Sequence, residues 1–324
     1  MNKYKKILVV CPSNMTTGGP EALHQLVSHM RDMGLPAYLV YTPYGKSAQL
    51  PAAYEKYNIA ISKYEDKENN FIIFPEIYPM LALQVKYAKA AMWWLSLDNF
   101  LERKNISQIR DTYHYIRAVI RRKKPLLGVQ SVKHIIHFSA TNYVADYLKR
   151  SGINSIPLSD SMNERFLSKY RSIDKDIKQN IILFNPTKGK KITKSIMDKF
   201  SRYKFIPLRG YKDEELSKLF FSAKLYIDFG HFPGAERLPR EAAIHGCCVL
   251  SGKLGCAANS LDFPMKPQYK LDTHDKNLMN QFEFMTENIF NNFEYHYQEF
   301  EPFRQYLLKT PIIFKQQIAD YFLG

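Results

Sequence analysis

Short apolar runs alternate along the chain with segments whose apolar residues recur every three or four positions, a pattern that predicts βα units and parallel sheets. The runs at 6–11, 37–41, 71–74, 91–95 and 134–138 read as strands, with helical periods at 20–33 and 141–150 between them. From 163 to 180 the chain turns polar and charged, which predicts an interdomain crossing. A second series follows, with strands at 181–184, 205–208, 224–229 and 248–250 and helices at 192–203, 213–223 and 239–245. Beyond Asp275 the period is helical, with Phe282, Met285, Ile289 and Phe293 on one stripe and no strand signal. The expected architecture is α/β: two Rossmann-like domains, 1–165 and 166–324, with a helical C-terminal tail in the second. Ligands of doubly wound sheets sit at the carboxyl ends of the strands, so a central cleft between the domains is the expected site.

Composition narrows the function. The 324 residues are 45% hydrophobic and 24% charged, which excludes disordered and fibrous classes. No stretch approaches the roughly 20 apolar residues of a membrane span. The start is basic and then apolar, but Ile7–Val10 is too short for the core of a signal peptide and reads as the first strand of a cytoplasmic chain. Cys11, Cys247, Cys248 and Cys256 form no metal-binding spacing and read as small buried hydrophobes in a reducing compartment. The net charge of +15 is concentrated: residues 101–200 carry 21 basic and 8 acidic groups, residues 201–324 carry 15 of each. Such a field suits phosphates, nucleic acid or an anionic lipid leaflet. Segment 105–124 sets Ile106, Ile109, Tyr113, Ile116 and Ile120 at helical spacing and closes on Arg121, Arg122, Lys123 and Lys124. It reads as an amphipathic cationic helix, with peripheral contact at the inner face of the plasma membrane.

Three polar constellations follow strands. Gly18 and Gly19 precede Pro20 at the start of a helix, where backbone N–H groups can approach an anion; the turn is neither GxGxxG nor a Walker loop. Asn185-Pro-Thr-Lys188-Gly189-Lys190-Lys191 opens a helix after the first strand of the second series, which makes Lys188 a phosphate candidate. The densest cluster runs from Asp228 to Gly246 and holds His231, Gly234, Glu236, Arg237, Arg240, Glu241 and His245. In the first series, Glu76, Asp98 and His137 lie at strand ends and are the candidate general bases. Asp174-Lys175-Asp176 spells D-x-D within the polar crossing rather than after an apolar strand, so no metal is expected.

The 228–246 segment resembles the C-terminal signature of GT-B fold glycosyltransferases, especially the bacterial group-1 type with its Glu-x7-Glu motif. Gly234, Pro239, Glu241, Ala242 and Gly246 fall on matching positions. The resemblance implies that Glu241 hydrogen-bonds the ribose of a nucleotide sugar. The first family glutamate falls on Pro233, a departure that passes the sugar-side contact to Glu236 or His231. Gly18-Gly19-Pro20-Glu21 is similar to the family's first-loop Gly-Gly, which implies closeness to donor phosphates or acceptor, and Asn185–Gly189 to its Lys-Gly opening, which implies a diphosphate role for Lys188. Trp93–Asn99, His137–Ser139 and Leu158–Asp160 look like blocks of capsule and lipopolysaccharide glycosyltransferases. The implied activity moves a sugar from a nucleotide-activated donor to a surface-glycan or lipid-linked acceptor, with no metal and no cofactor. Lys188, Glu241 and Arg237 or Arg240 would hold the nucleotide, the first domain would hold the acceptor, and nucleic acid is not an expected partner. The alternative from another class is a non-catalytic basic nucleic-acid-binding protein; a nicotinamide enzyme is a third, disfavoured by the missing GxGxxG.

Overall fold

The computed structural model describes residues 3–44, 49–101 and 128–324, and its contacts divide the chain into two compact units. The first comprises Met1–Ser161 with Ile312–Gly324, the second Met162–Pro311. The cationic segment ending in Arg121, Arg122, Lys123 and Lys124 lies outside the described residues.

The first sheet contains β1 (Lys6–Pro12), β2 (Ala37–Thr42), β3 (Asn70–Pro75), β4 (Lys89–Trp94), β5 (Ile136–Ser139) and β6 (Ile156–Pro157). All pairs are parallel, in the order β2-β1-β3-β4-β5-β6. Its strands are mainly apolar because both faces are covered. Ile7, Val9 and Cys11 of β1 face a core built with helix Gly18–Asp32, while Leu8 and Val10 face a second core that holds Phe100, Val144 and Leu148. Both tryptophans of β4 are buried in this unit, and their polar atoms are paired. The indole nitrogens of Trp93 and Trp94 donate to the Leu158 carbonyl at 2.7 Å and to His137 Nδ1 at 2.9 Å.

The second sheet contains β7 (Gln179–Phe184), β8 (Lys204–Pro207), β9 (Ala223–Asp228), β10 (Cys248–Gly252) and β11 (Lys270–Leu271). It is again parallel, in the order β11-β10-β9-β7-β8. Its amino edge is closed by Lys178, which is buried and donates to the carbonyls of Phe220 (2.8 Å), Ala223 (3.0 Å) and His245 (2.8 Å). Burial holds that ammonium below the usual lysine pKa. His245 is buried between Ser217 Oγ and the Glu241 carbonyl, and desolvation lowers it to about 4. It is therefore a neutral core residue.

The tail departs from the sequence expectation. Helix Glu301–Phe322 belongs to the second unit up to Pro311, and from Ile312 to the first. Phe314, Ile318 and Phe322 join the first unit's core, with the Phe314 ring stacked on Trp93 at 5.9 Å and 15°. The Gln317 side chain accepts from the Ser159 N–H at 2.7 Å and the Ser159 hydroxyl at 2.9 Å. An amphipathic helix needs an apolar surface to cover, and the one it finds lies more than 150 residues earlier in the chain. Strands β6 and β11, two residues each, are too short to leave a period in the sequence.

Truncating Phe314 to Ala should lower stability by about 3–5 kcal/mol through lost burial and a cavity against Trp93. Ile312→Ala on the same helix, where the side chain is 70% exposed, should change it by less than about 0.5 kcal/mol. Chemical denaturation of both variants checks the contrast; equal effects would contradict the packing.

Candidate functional site

The carboxyl edge of the first sheet holds a cavity of about 450 Å³, lined among others by Pro12 at the end of β1, Met15, Gly19, Pro20, Glu76 and Asn99. Glu76 follows β3 directly, and its backbone N–H donates to the Trp93 carbonyl, so the chain holds it at the sheet edge. One carboxylate oxygen accepts from the Leu95 N–H and the other from Asn99 Nδ2, both at 3.1 Å. The residue is 2% exposed. Desolvation outweighs these donors and the neighbouring backbone N–H groups of Glu76 and Ser96 and pushes its pKa up to about 7, so this acid exchanges its proton near neutrality.

The other two candidate bases differ. His137 has both ring nitrogens committed, Nδ1 to the Trp94 indole and Nε2 to the Val132 carbonyl at 3.0 Å, and burial lowers its pKa. It is a positioning element of the core, with no nitrogen left for a substrate proton. Asp98 lies half-buried in the first turn of helix Leu97–Leu101 and does not line the cavity. Gly18 and Gly19 begin helix Gly18–Asp32, with no atom within 4 Å of where a Cβ would stand, so the backbone there is open.

In the second unit, the loops after β7 and β9 are locked together. Gly189 has φ +58°, and a Cβ on it would stand 2.6 Å from the Phe229 carbonyl carbon; one on Gly230 would stand 2.4 Å from Lys188 Cβ. Only glycine permits this approach. Asp228, at the end of β9, accepts from the Gly230 N–H (2.9 Å), the Tyr226 hydroxyl (3.1 Å) and Asn185 Nδ2 (3.3 Å). Above this lock Lys188 Nζ meets Glu236 Oε1 at 2.5 Å.

Helix Lys190–Lys199 starts at Gly189 with Lys190 and Lys191 and has no acid in its first turn. Helix Arg237–Ile244 starts with Arg237 and has no acid in its first turn, while its N-cap is Glu236, the partner of Lys188. A helix N-terminus already carries a partial positive charge that sequences ordinarily offset with Asp or Glu. Lys188 and Arg237 are balanced by Glu236 and Glu241. The positive excess at this edge therefore comes from Lys190 and Lys191 at the start of helix Lys190–Lys199, a terminus of the kind that receives phosphate.

Several sequence candidates occupy roles that their positions in the chain do not suggest. Glu241 is buried, with Oε1 3.0 Å from Arg237 Nε, and Arg237 is 47% exposed with its guanidinium 5.9 Å from the Phe166 ring centroid. Arg240 turns back on its own loop, donating to the carbonyls of Glu236 (3.0 Å) and Ala235 (2.7 Å). That arrangement makes it a brace for the turn rather than a phosphate group. His231 is exposed and rests its ring against Gly255, and Gly234 is buried in the turn. The D-x-D at 174–176 precedes the start of β7, with Asp174 accepting from the Asp176 N–H at 3.0 Å and Lys175 paired to Glu294 at 2.6 Å. It lies at the edge of the sheet opposite to the glycine lock.

Compared by sequence, the chain matches no family model and none of the curated proteins. Solved structures do match over its whole length. A glycosyltransferase from Rickettsia africae ESF-5 has a TM-score of 0.65 at 12% identity, covering 99% of this chain and 98% of that one. HepE of Anabaena, in complex with UDP-glucose, has 0.63 at 12%, covering 97% and 98%. Sucrose-phosphate synthase of Thermosynechococcus elongatus has 0.65 at 10%, covering 98% of each. The chain has the GT-B fold. At such identities the likeness is one of fold.

The Glu76 proton provides a test of the first cavity. Its folded-state pKa lies above the unfolded one, so the unfolded chain ionises first as pH rises and stability is lost between about 4.5 and 7. The full difference is on the order of 3 kcal/mol. Denaturation at pH 4.5 and pH 8 should show this loss in the wild type and not in Glu76→Gln; equal slopes would place the proton elsewhere.

Proposed function

We propose that the protein is a glycosyltransferase that takes a sugar from a nucleotide-activated donor. The observation that carries this reading is the carboxyl edge of the second sheet, where a glycine lock sets Lys188, Arg237 and a lysine-bearing helix N-terminus together. A nucleoside diphosphate fits that edge in charge and position. Lys188 and the N–H groups that open helix Lys190–Lys199 receive the phosphates, with Glu236 orienting the Lys188 ammonium. Arg237 turns from Glu241 toward the diphosphate, and Glu241 then accepts from the ribose hydroxyls. The bond to the anomeric carbon breaks toward the diphosphate, whose growing negative charge these cations stabilise.

In the same reading the cavity at Glu76 receives the acceptor hydroxyl. Ionised near neutrality, Glu76 takes the hydroxyl proton as the new glycosidic bond forms. Neither His137, with both nitrogens spent, nor Asp98, off the cavity, serves as well. The resemblance of Trp93–Asn99 and Leu158–Asp160 to capsule and lipopolysaccharide glycosyltransferases supports a surface-glycan or lipid-linked acceptor. HepE, bound to UDP-glucose, supports the donor class.

Two outcomes follow. Glu241→Ala should weaken nucleotide-sugar binding roughly tenfold to a hundredfold, the value of one charge-assisted hydrogen bond, while the fold survives. Calorimetry against UDP-, GDP-, dTDP- and CMP-sugars measures it, and unchanged affinity would remove Glu241 from the site. Transfer should also persist in EDTA, because side-chain cations and a helix terminus supply the positive charge and the D-x-D lies at the far edge of the sheet. Activity lost on chelation and restored by Mn²⁺ or Mg²⁺ would assign that role to a metal.

A further inference from the structure

The first unit has a second cavity, of about 420 Å³, on the other side of the loop that carries Glu76. Its walls are Thr42 and Pro43 at the end of β2, Tyr44, and Tyr78 and Leu81 beyond the end of β3. The two cavities adjoin along the sheet edge. Pro12, which lines the first, is the register partner of Thr42, which lines the second, and residues 75–78 give Glu76 to one and Tyr78 to the other.

The aromatic walls are fixed. Tyr44 stacks on Tyr64 with centroids 4.5 Å apart and planes 24° apart. The Tyr78 hydroxyl is hydrogen-bonded to Thr42 Oγ1 at 2.7 Å. The Tyr44 hydroxyl, in contrast, is buried with no hydrogen-bond partner among the described residues. Its pKa is held well above the usual tyrosine value by burial, so it stays a neutral donor.

We propose that this cavity binds a pyranose ring of the acceptor, next to the sugar that presents its hydroxyl to Glu76. The inference rests on the glycosyl-transfer reading. A buried polar group without a partner is costly, and a bound ligand can supply the partner. A lipid chain would fill the space and leave the Tyr44 hydroxyl unsatisfied. An anion would find no cation among the lining residues. A sugar ring meets both demands, laying its C–H face on the tyrosines and turning a hydroxyl toward Tyr44. Its consequence is a preference for acceptors of at least two sugars.

Saturation-transfer NMR on the full chain tests this, using methyl pyranosides of glucose, galactose, mannose and N-acetylglucosamine, their disaccharides, and citronellol as an apolar probe. Disaccharides should be saturated, with binding twofold to tenfold weaker in Tyr44→Phe, which removes one oxygen, and lost in Tyr78→Ala. Unfolding curves for both variants establish that they remain folded. Citronellol saturated in place of every sugar, or sugar binding unchanged in folded Tyr44→Phe, would overturn the assignment. A thermal-shift screen with nucleotide sugars on the same preparations separates the two readings. A donor shift without sugar saturation overturns the subsite alone, whereas saturation without any donor shift overturns its role in an acceptor.

Discussion

Parallel strands covered on both faces admit a polar side chain along their length only where a neighbouring group can satisfy it, as Trp94 and the Val132 carbonyl do for His137. Most of the polar side chains near the sheets therefore gather at strand ends. In the first sheet Ile7 to Cys11 are spent on two cores, and Glu76 stands beyond them at the carboxyl edge, beside the cavity that Pro12 also lines. In the second sheet the same constraint collects Asn185, Lys188, Asp228 and Glu236 around two adjoining loops. The amino edge of the second sheet receives the opposite treatment: Lys178 and His245 are closed in by carbonyls and a hydroxyl and are structural.

Desolvation then sorts residues that look equivalent in the chain. Glu76 and Asp98 are both acids just past a strand, yet only Glu76 is taken fully out of water, among neutral donors and with no cation beside it. That is the environment that raises a carboxyl toward neutrality. At the other edge, Lys188 and Arg237 keep partial exposure because each is paired at the surface of its loop rather than sunk into a core. Arg240 is three residues from Arg237 and turns inward to brace the carbonyls that shape the turn.

The strands were legible because continuous apolar runs separated by helical periods suit a sheet covered on both faces and little else. The resemblance over 228–246 pointed to the right fold, and that segment lies beyond β9 at the carboxyl edge of the second sheet. What the sequence could not convey is pairing. Nothing in His137 itself announces that Trp94 will occupy one of its nitrogens and the Val132 carbonyl the other. The inward turn of Arg240 depends on a backbone path fixed by the glycine lock, and Asn99, which holds Glu76, reads as an ordinary polar residue after a strand. The tail was misplaced for a related reason: a hydrophobic stripe states that a helix must be covered, not by which surface.

That tail also sets an order of events during synthesis. Residues 1–161 leave the ribosome early with the whole of the first sheet, but one face of it still lacks Phe314, Ile318 and Phe322. Trp93 and Phe138 must wait, partly uncovered, while the whole of the second unit is translated. A nascent chain in this state exposes aromatic surface for the time needed to add some 150 residues, at roughly 5–20 residues per second, a window in which a chaperone has a defined patch to hold. The same arrangement means that no single cut between the units releases a first half with a finished core.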